Sequence, residues 1–375
     1  MNEKTNESIV LSVLKNESTT NSMYYPKIYQ IISVLFGIII FLVGFFGNIL
    51  VVIIVSKSRK MRSPTNCYLI SLAVADILVL FSATLPAIPE PFFEMQQWPW
   101  GRAMCSILVF LQYLGVDASS LSITAFTIER YIAICHPMTA QRMCTIRRAK
   151  KIICGIWIFS ILYCSPWLGL TIIIKAGDKS ICTFRLEREQ YNVYYLADLI
   201  VFYAIPLCIA AILYALIARI LFGTTIASVR GGQHRDASHA RSATSSRKQV
   251  VRMLIVIVSV FATMWLPYRV MVVYNSFAKT KYLDIWFLLF CRVMVYINSS
   301  INPILYNAMS AKFRREFQKI LSCDAGRYNK PQATFSMECM TNNVERNVLV
   351  IKNHRSRNPS PYSSSERITS VIQLK

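Results

Sequence analysis

Charge is in short supply in this chain. Only 16% of its 375 residues are Asp, Glu, Lys or Arg, where a water-soluble domain carries about 25%. With 54% apolar residues, the chain does not read as a soluble globular domain. Other absences narrow the function. No internal repeat is visible, which argues against a repeat-built transporter. There is no glycine-rich phosphate loop and no CxxC pair. The four histidines, His136, His234, His239 and His354, are scattered, so neither nucleotide chemistry nor a metal centre is indicated. No motif sets a nucleophile beside a base, which excludes the familiar enzyme classes. No signal peptide is visible either: the run Ile9–Leu14 is short and ends at Lys15, so the first apolar segment is expected to act as its own insertion signal.

What the chain has instead is long apolar runs. Seven windows, roughly 31–56, 66–88, 104–135, 150–174, 193–222, 249–277 and 283–308, are each long enough to cross about 30 Å of hydrocarbon. They do not alternate with period two, so helices are expected rather than a barrel. The fold class is an all-α membrane protein: a seven-transmembrane helix bundle, with a short amphipathic eighth helix over 311–323. A polar tail 1–30 precedes the seven-helix domain 31–310. Within that domain, 223–247 forms a third inner loop whose ends continue helices five and six. A tail 324–375, expected to be disordered, follows.

The net charge of +22 does not point to nucleic acid, because the cations lie between apolar windows. Lys57, Arg59, Lys60 and Arg62 follow the first, Arg142, Arg147, Arg148, Lys150 and Lys151 sit after the third, and Arg230, Arg235, Arg241, Arg247 and Lys248 follow the fifth. The intervening loops mix signs. The positive-inside rule puts the N-terminus outside and the C-terminus inside, as for a multi-pass plasma-membrane protein. The sequons at Asn6 and Asn16 then face outward as glycan sites; Asn298-Ser299-Ser300 lies in a helix and is rejected. Of eleven cysteines, two fall outside, Cys105 and Cys182, and they are the expected disulfide. Cys323, just past the basic amphipathic run, stands where a palmitoyl anchor would sit, the other reading being an idle thiol. The serines and threonines of the tail, Ser360 to Ser370, suit receptor kinases and arrestin-like readers of phosphate, or belong to a passive solvated tail.

Polar residues inside apolar helices are costly and face the interior. They include Asn48, Asp76, Ser119, Asn298, Ser299 and Asn302, read either as a sodium-holding cluster or as hydrogen-bond glue between helices. At the inner end of the third window stands Glu129-Arg130-Tyr131. The sixth carries Phe261, Trp265 and Pro267, and the seventh Asn302-Pro303-Ile304-Leu305-Tyr306. Tyr113, Tyr268, Arg292 and Gln112 supply aromatic walls with few polar anchors, as ligand sites do; Arg292 reads as a ligand anchor or as a snorkelling arginine.

Taken in order, these motifs, with Leu72-Ala73-Val74-Ala75-Asp76, Trp157, Pro206 and Tyr214, resemble the rhodopsin-like (class A) G-protein-coupled receptors over about 30–323. The resemblance implies that Glu129 holds Arg130 at rest and releases it to a heterotrimeric G protein. It implies that Tyr214 and Tyr306 swing toward Arg130, that Trp265 senses ligand, and that Asp76, Ser119, Asn298, Ser299 and Asn302 hold sodium. The stretches Leu111-Gln112-Tyr113-Leu114-Gly115 and Trp286-Phe287-Leu288-Leu289-Phe290-Cys291-Arg292 are similar to those of thyrotropin-releasing hormone receptors. Those receptors bind pyroglutamyl-histidyl-proline amide and signal mainly through Gq and phospholipase C. Their pocket residues carry over to Tyr113, Tyr268 and Arg292, but the fourth position holds Asp117 where that subfamily has asparagine. An ionised aspartate accepts and does not donate. Asp117 is thus set to pair with Arg292 or with a ligand's free amine, and the expected ligand is a related short amidated peptide, without a pyroglutamyl cap. An amine receptor of this class would carry aspartate at Gln112, and a light sensor lysine at Tyr296; neither is present.

Overall fold

The computed structural model describes residues 24–186, 188–230 and 237–321. Seven helices in it are long and apolar enough to span a bilayer: Lys27–Lys57, Pro64–Phe92, Gly101–Cys135, Ile146–Leu170, Asn192–Ile220, Ile255–Phe277 and Ile285–Met309. They are numbered here as the first to seventh spans. The third runs through the middle of the bundle, against the second, fourth and fifth. A buried core including Val51, Leu72, Leu80, Ile123, Phe261 and Trp265 joins the spans. Ile31, Leu35 and Phe46 of the first span face outward, as lipid contact requires.

Local chemistry sets the inner ends. Ser63 caps the second span, its hydroxyl accepting from the Asn66 amide at 3.3 Å, and Pro64 occupies the first helical position where no amide partner is needed. Thr145 caps the fourth in the same way through the Arg148 amide. The amphipathic helix Ala311–Leu321 lays Phe313 against Tyr306 with ring centroids 6.0 Å apart. Its Glu316 accepts from Ser58 at the end of the first span, at 3.0 Å.

One helix runs Ile205–Arg230 and the next begins at Ala237, so both continue past the apolar windows into the segment 223–247. One expectation needs correction. The fourth window ends early. Thr171–Ala176 is a strand, β1, paired antiparallel with β2, Lys179–Phe184. Pro166 ends the helix before it, and three β-branched isoleucines follow. The hairpin turns on Gly177, at φ 62, a conformation glycine adopts without strain. Asn6, Asn16, Cys323 and the tail 324–375 lie outside the described residues.

Small residues set how close the spans come. A Cβ on Gly115 would sit 2.8 Å from the Ala75 carbonyl oxygen and from a Val79 methyl, so the second and third spans touch backbone to backbone there.

The prolines explain several buried donors. A proline has no amide hydrogen, so the carbonyl four residues earlier loses its partner, and hydrocarbon offers no water in exchange. Pro303 frees the Ser299 carbonyl, and Asn48 Nδ2 donates to it at 2.9 Å while also reaching Gly44. Pro206 frees the Phe202 carbonyl, and Ser120 Oγ donates to it at 2.5 Å. Pro166 frees Leu162, which accepts from Ser165 at 2.8 Å. Beside Pro267 the Tyr203 hydroxyl reaches the Ala262 carbonyl at 2.8 Å. Replacing Ser120 by alanine strands a buried carbonyl, at a cost of about 1–3 kcal/mol. Thermal denaturation of the purified protein will show Ser120→Ala melting clearly lower, whereas Thr263→Val, whose hydroxyl is exposed and bonds only its own helix, stays near the parent.

Candidate functional site

A cavity of about 450 Å³ opens among the halves of the spans nearest the Cys105–Cys182 disulfide. Its wall includes the predicted residues Gln112, Tyr113, Tyr268 and Arg292, with Trp265 among them. The disulfide Cys105–Cys182 ties β2 to the third span, and Trp98 of the first outer loop donates to the Ser180 carbonyl at 2.7 Å, so the hairpin is held across the mouth. Tyr113 is stacked on Trp167, centroids 4.6 Å apart and 14° from parallel. Tyr268 meets Trp265 edge to face at 5.9 Å. Both walls are therefore rigid aromatic surfaces before any ligand arrives.

The charges of the cavity come in two pairs. Arg292 donates to Glu90 at 2.7 Å, in a partly exposed bridge. Tyr25, at the head of the first span, joins it by donating to the other Glu90 oxygen at 3.4 Å. Burial and the nearby Glu90 carboxylate push the Tyr25 phenol up from its ordinary value, so it stays protonated and donates. On the opposite side Arg269 is ion-paired with Asp198, both buried. The Arg269 guanidinium also lies over Trp265, 5.2 Å from the ring centroid.

Asp117 departs from its expected place. It is fully buried and does not line the cavity. It pairs not with Arg292, which Glu90 has taken, but lies among Cys164, Asp198 and Arg269. Cys164 Sγ donates to its Oδ2 at 3.2 Å. One turn below Tyr113 on the third span, its side chain points toward the fourth and fifth spans, behind the aromatic wall.

Midway down the bundle, Asp76 gathers the polar cluster. Its Oδ2 accepts from Asn302 Nδ2 at 2.8 Å and its Oδ1 from Ser119 Oγ at 3.5 Å; Ser299 reaches the same carboxyl. Asn298 is buried on the adjoining turn, and Pro303 follows Asn302. At the inner end Arg130 lies 3.8 Å from Glu129 and donates to the Thr65 hydroxyl of the second span. Tyr131 stacks edge-on with His136. The Tyr214 hydroxyl is 3.2 Å from Thr127 Oγ1, and Tyr306 is buried against Phe313, so the two tyrosines have separate partners.

Four residues at these sites were not anticipated: Asp198, Arg269, Glu90 as the partner of Arg292, and Thr65. Asp198 and Arg269 carried a usable signal, being charges in the middle of apolar windows. Glu90 looked like an ordinary loop acid, and Thr65 has no mark in sequence.

Comparison with known proteins places these features. The model for the 7 transmembrane receptor (rhodopsin family) matches residues 47–306. The human thyrotropin-releasing hormone receptor is 45% identical over 324 residues, 81% of each chain. The mouse protein of the same name is 46% identical over 316 residues, 79% of this chain and 80% of its own. A QRFP-like peptide receptor of Branchiostoma floridae is 30% identical over 332 residues, 83% of this chain and 84% of its own.

Arg269 is the residue on which the buried charges depend. Arg269→Gln leaves Asp198 and Asp117 without a cation, a loss on the order of 3–5 kcal/mol for a broken buried pair. The variant is expected to reach the cell surface poorly and to melt lower than the parent, and adding Asp198→Asn to it should restore part of both. Surface labelling and thermal denaturation of the single and double variants check this.

Proposed function

The chain belongs to the rhodopsin family of seven-transmembrane G-protein-coupled receptors, and from that premise we propose that it is a plasma-membrane receptor for thyrotropin-releasing hormone or a related short amidated peptide. The observation that carries this reading is the outer cavity. Its volume of about 450 Å³ falls in the range of small-ligand sites, about 300–1,000 Å³. Its walls combine Tyr113, Tyr268 and Arg292, the positions that match the peptide-binding residues of the resembling subfamily. Arg292 offers a fork of donors to an amide or carbonyl oxygen, in exchange for Glu90. The basic inner segments support an extracellular N-terminus and a cytoplasmic C-terminus.

In this reading, ligand and G protein favour the same open inner face. Each therefore tightens the other's binding. At rest Arg130 is held by Glu129 and Thr65; activation frees it toward a Gq-class protein, with Tyr214 and Tyr306 leaving Thr127 and Phe313 to face it. Phospholipase C and calcium lie downstream, and receptor kinases and arrestin act on the phosphorylated tail. The oxygens of Asp76, Ser119 and Ser299 are hard donors of the kind sodium takes, and an ion there would favour the resting arrangement. Palmitate on Cys323 and glycans on Asn6 and Asn16 complete the reading.

Intracellular calcium in cells expressing the chain, across a panel of short amidated peptides with pyroglutamyl-histidyl-proline amide among them, is the direct test. A potent response to at least one member is expected; silence with the protein at the surface counts against both ligand and coupling class. Arg130→Ala should abolish the calcium response while surface labelling stays near the parent, and a loss of expression instead would make Arg130 a structural residue. Sodium should weaken peptide binding to membranes, and Asp76→Asn should remove that dependence.

A further inference from the structure

The deep side of the cavity holds two acids for one base. Asp117, Asp198 and Arg269 are 0%, 3% and 6% exposed. Asp117 comes from the third span, Asp198 from the fifth and Arg269 from the sixth. Arg269 is paired with Asp198 through Oδ2. The Oδ1 oxygens of both aspartates and the Nε of Arg269 have no fixed hydrogen-bond partner, and the two carboxyls lie within hydrogen-bond reach of each other. A buried charge is stable only when it is paired. One guanidinium does not neutralise two carboxylates, so without a further cation the two acids must share a proton, and Cys164 gives Asp117 only a weak thiol donor. Of these three groups, Asp198 and Arg269 line the cavity, so a ligand meets Asp198, with Asp117 directly behind it.

The rest of the wall sharpens the point. Arg292 is already neutralised by Glu90, as Arg269 is by Asp198. The cavity therefore has no spare cation among its described lining residues to hold a ligand's carboxylate, which suits an amidated C-terminus. The one acid in excess, Asp117, lies behind Asp198 and outside the wall.

We propose that Asp198, backed by Asp117, is a cation-accepting subsite on the deep side of the cavity, filled by the protonated amine of an uncapped peptide N-terminus. The ammonium donates to Asp198 and takes the place of the proton that the two acids otherwise share, the proton leaving to solvent, so the buried group stays neutral. An α-amino group, with an ordinary pKa of about 7.7–8.0, enters largely protonated beside carboxylates. Asp117 acts through Asp198 as a positioning residue that sets the preference of the cavity for charge. This inference rests on the peptide-receptor reading and deepens it.

A matched pair of probes separates charge from shape. Prolyl-histidyl-proline amide keeps the five-membered ring of pyroglutamyl-histidyl-proline amide but replaces the neutral lactam with a secondary ammonium. Calcium potency and competition binding are measured for both on the parent receptor and on Asp117→Asn. The prolyl peptide is expected to be about tenfold or more the stronger on the parent, and Asp117→Asn is expected to narrow or reverse that ratio. A parent that prefers the pyroglutamyl peptide, or a ratio that Asp117→Asn leaves unchanged, overturns the subsite. Melting of the purified, ligand-free receptor gives a second readout that needs no peptide. Asp117→Asn removes the surplus acid and supplies an amide donor, so it should raise the melting temperature; a lower one overturns the inference. If neither probe binds, the peptide reading fails, while the melting comparison still decides the charge imbalance.

Discussion

A carbonyl that a proline leaves unpaired in hydrocarbon must find another donor, and much of this bundle is arranged around that need. Pro303 and Pro206, inside the seventh and fifth spans, each open one buried backbone acceptor where no water reaches. Asn48 and Ser120 answer at Ser299 and Phe202, and Ser165 answers at Leu162 in an exposed position. Two of these donors come from a neighbouring span, so the same bonds that repair one helix fix its position against another. The third span gains its central place in this way: Gly115 lets it approach the second, and Ser120 ties it to the fifth.

The polar residues of the spans thus divide by task. Asn48 and Ser120 mend backbone and hold the frame. Asp76 gathers Asn302 and Ser119 at mid-depth, linking the second, third and seventh spans. Arg292, Asp198 and Arg269 border the cavity and carry its charge, while Arg130 is held by Glu129 and Thr65 at the opposite end of the third span. The cavity and Arg130 sit at opposite ends of the third span, with the Asp76 cluster between them. A ligand that moves the outer ends of the sixth and seventh spans acts on helices whose prolines, Pro267 and Pro303, already lack a backbone bond.

The seven spans were legible in sequence because their signal is simple: apolar length, with cations between the runs. The disulfide was legible because only two cysteines fall outside. Tyr113, Tyr268 and Arg292 were singled out beside their motifs, and the structure brings the three to one cavity wall. Other features were not. The hairpin was hidden because an isoleucine run reads alike as helix or strand. The partners of Asp117 depend on which faces of the third, fourth, fifth and sixth spans meet, a matter of rotation that window averages do not carry. Asp198 and Arg269 were visible as misplaced charges, but only packing shows that they answer each other and leave Asp117 in surplus.

The most direct test of this division is the shift in melting temperature that a saturating amidated tripeptide, prolyl-histidyl-proline amide, produces in the purified receptor, compared between Ser120→Ala and Arg292→Gln. Frame and cavity being separate, Ser120→Ala should lower the ligand-free melting point yet keep the peptide-induced shift, and Arg292→Gln should lose the shift. The reverse pattern, with the shift kept in Arg292→Gln and lost in Ser120→Ala, would contradict the assignment of the outer cavity as the ligand site.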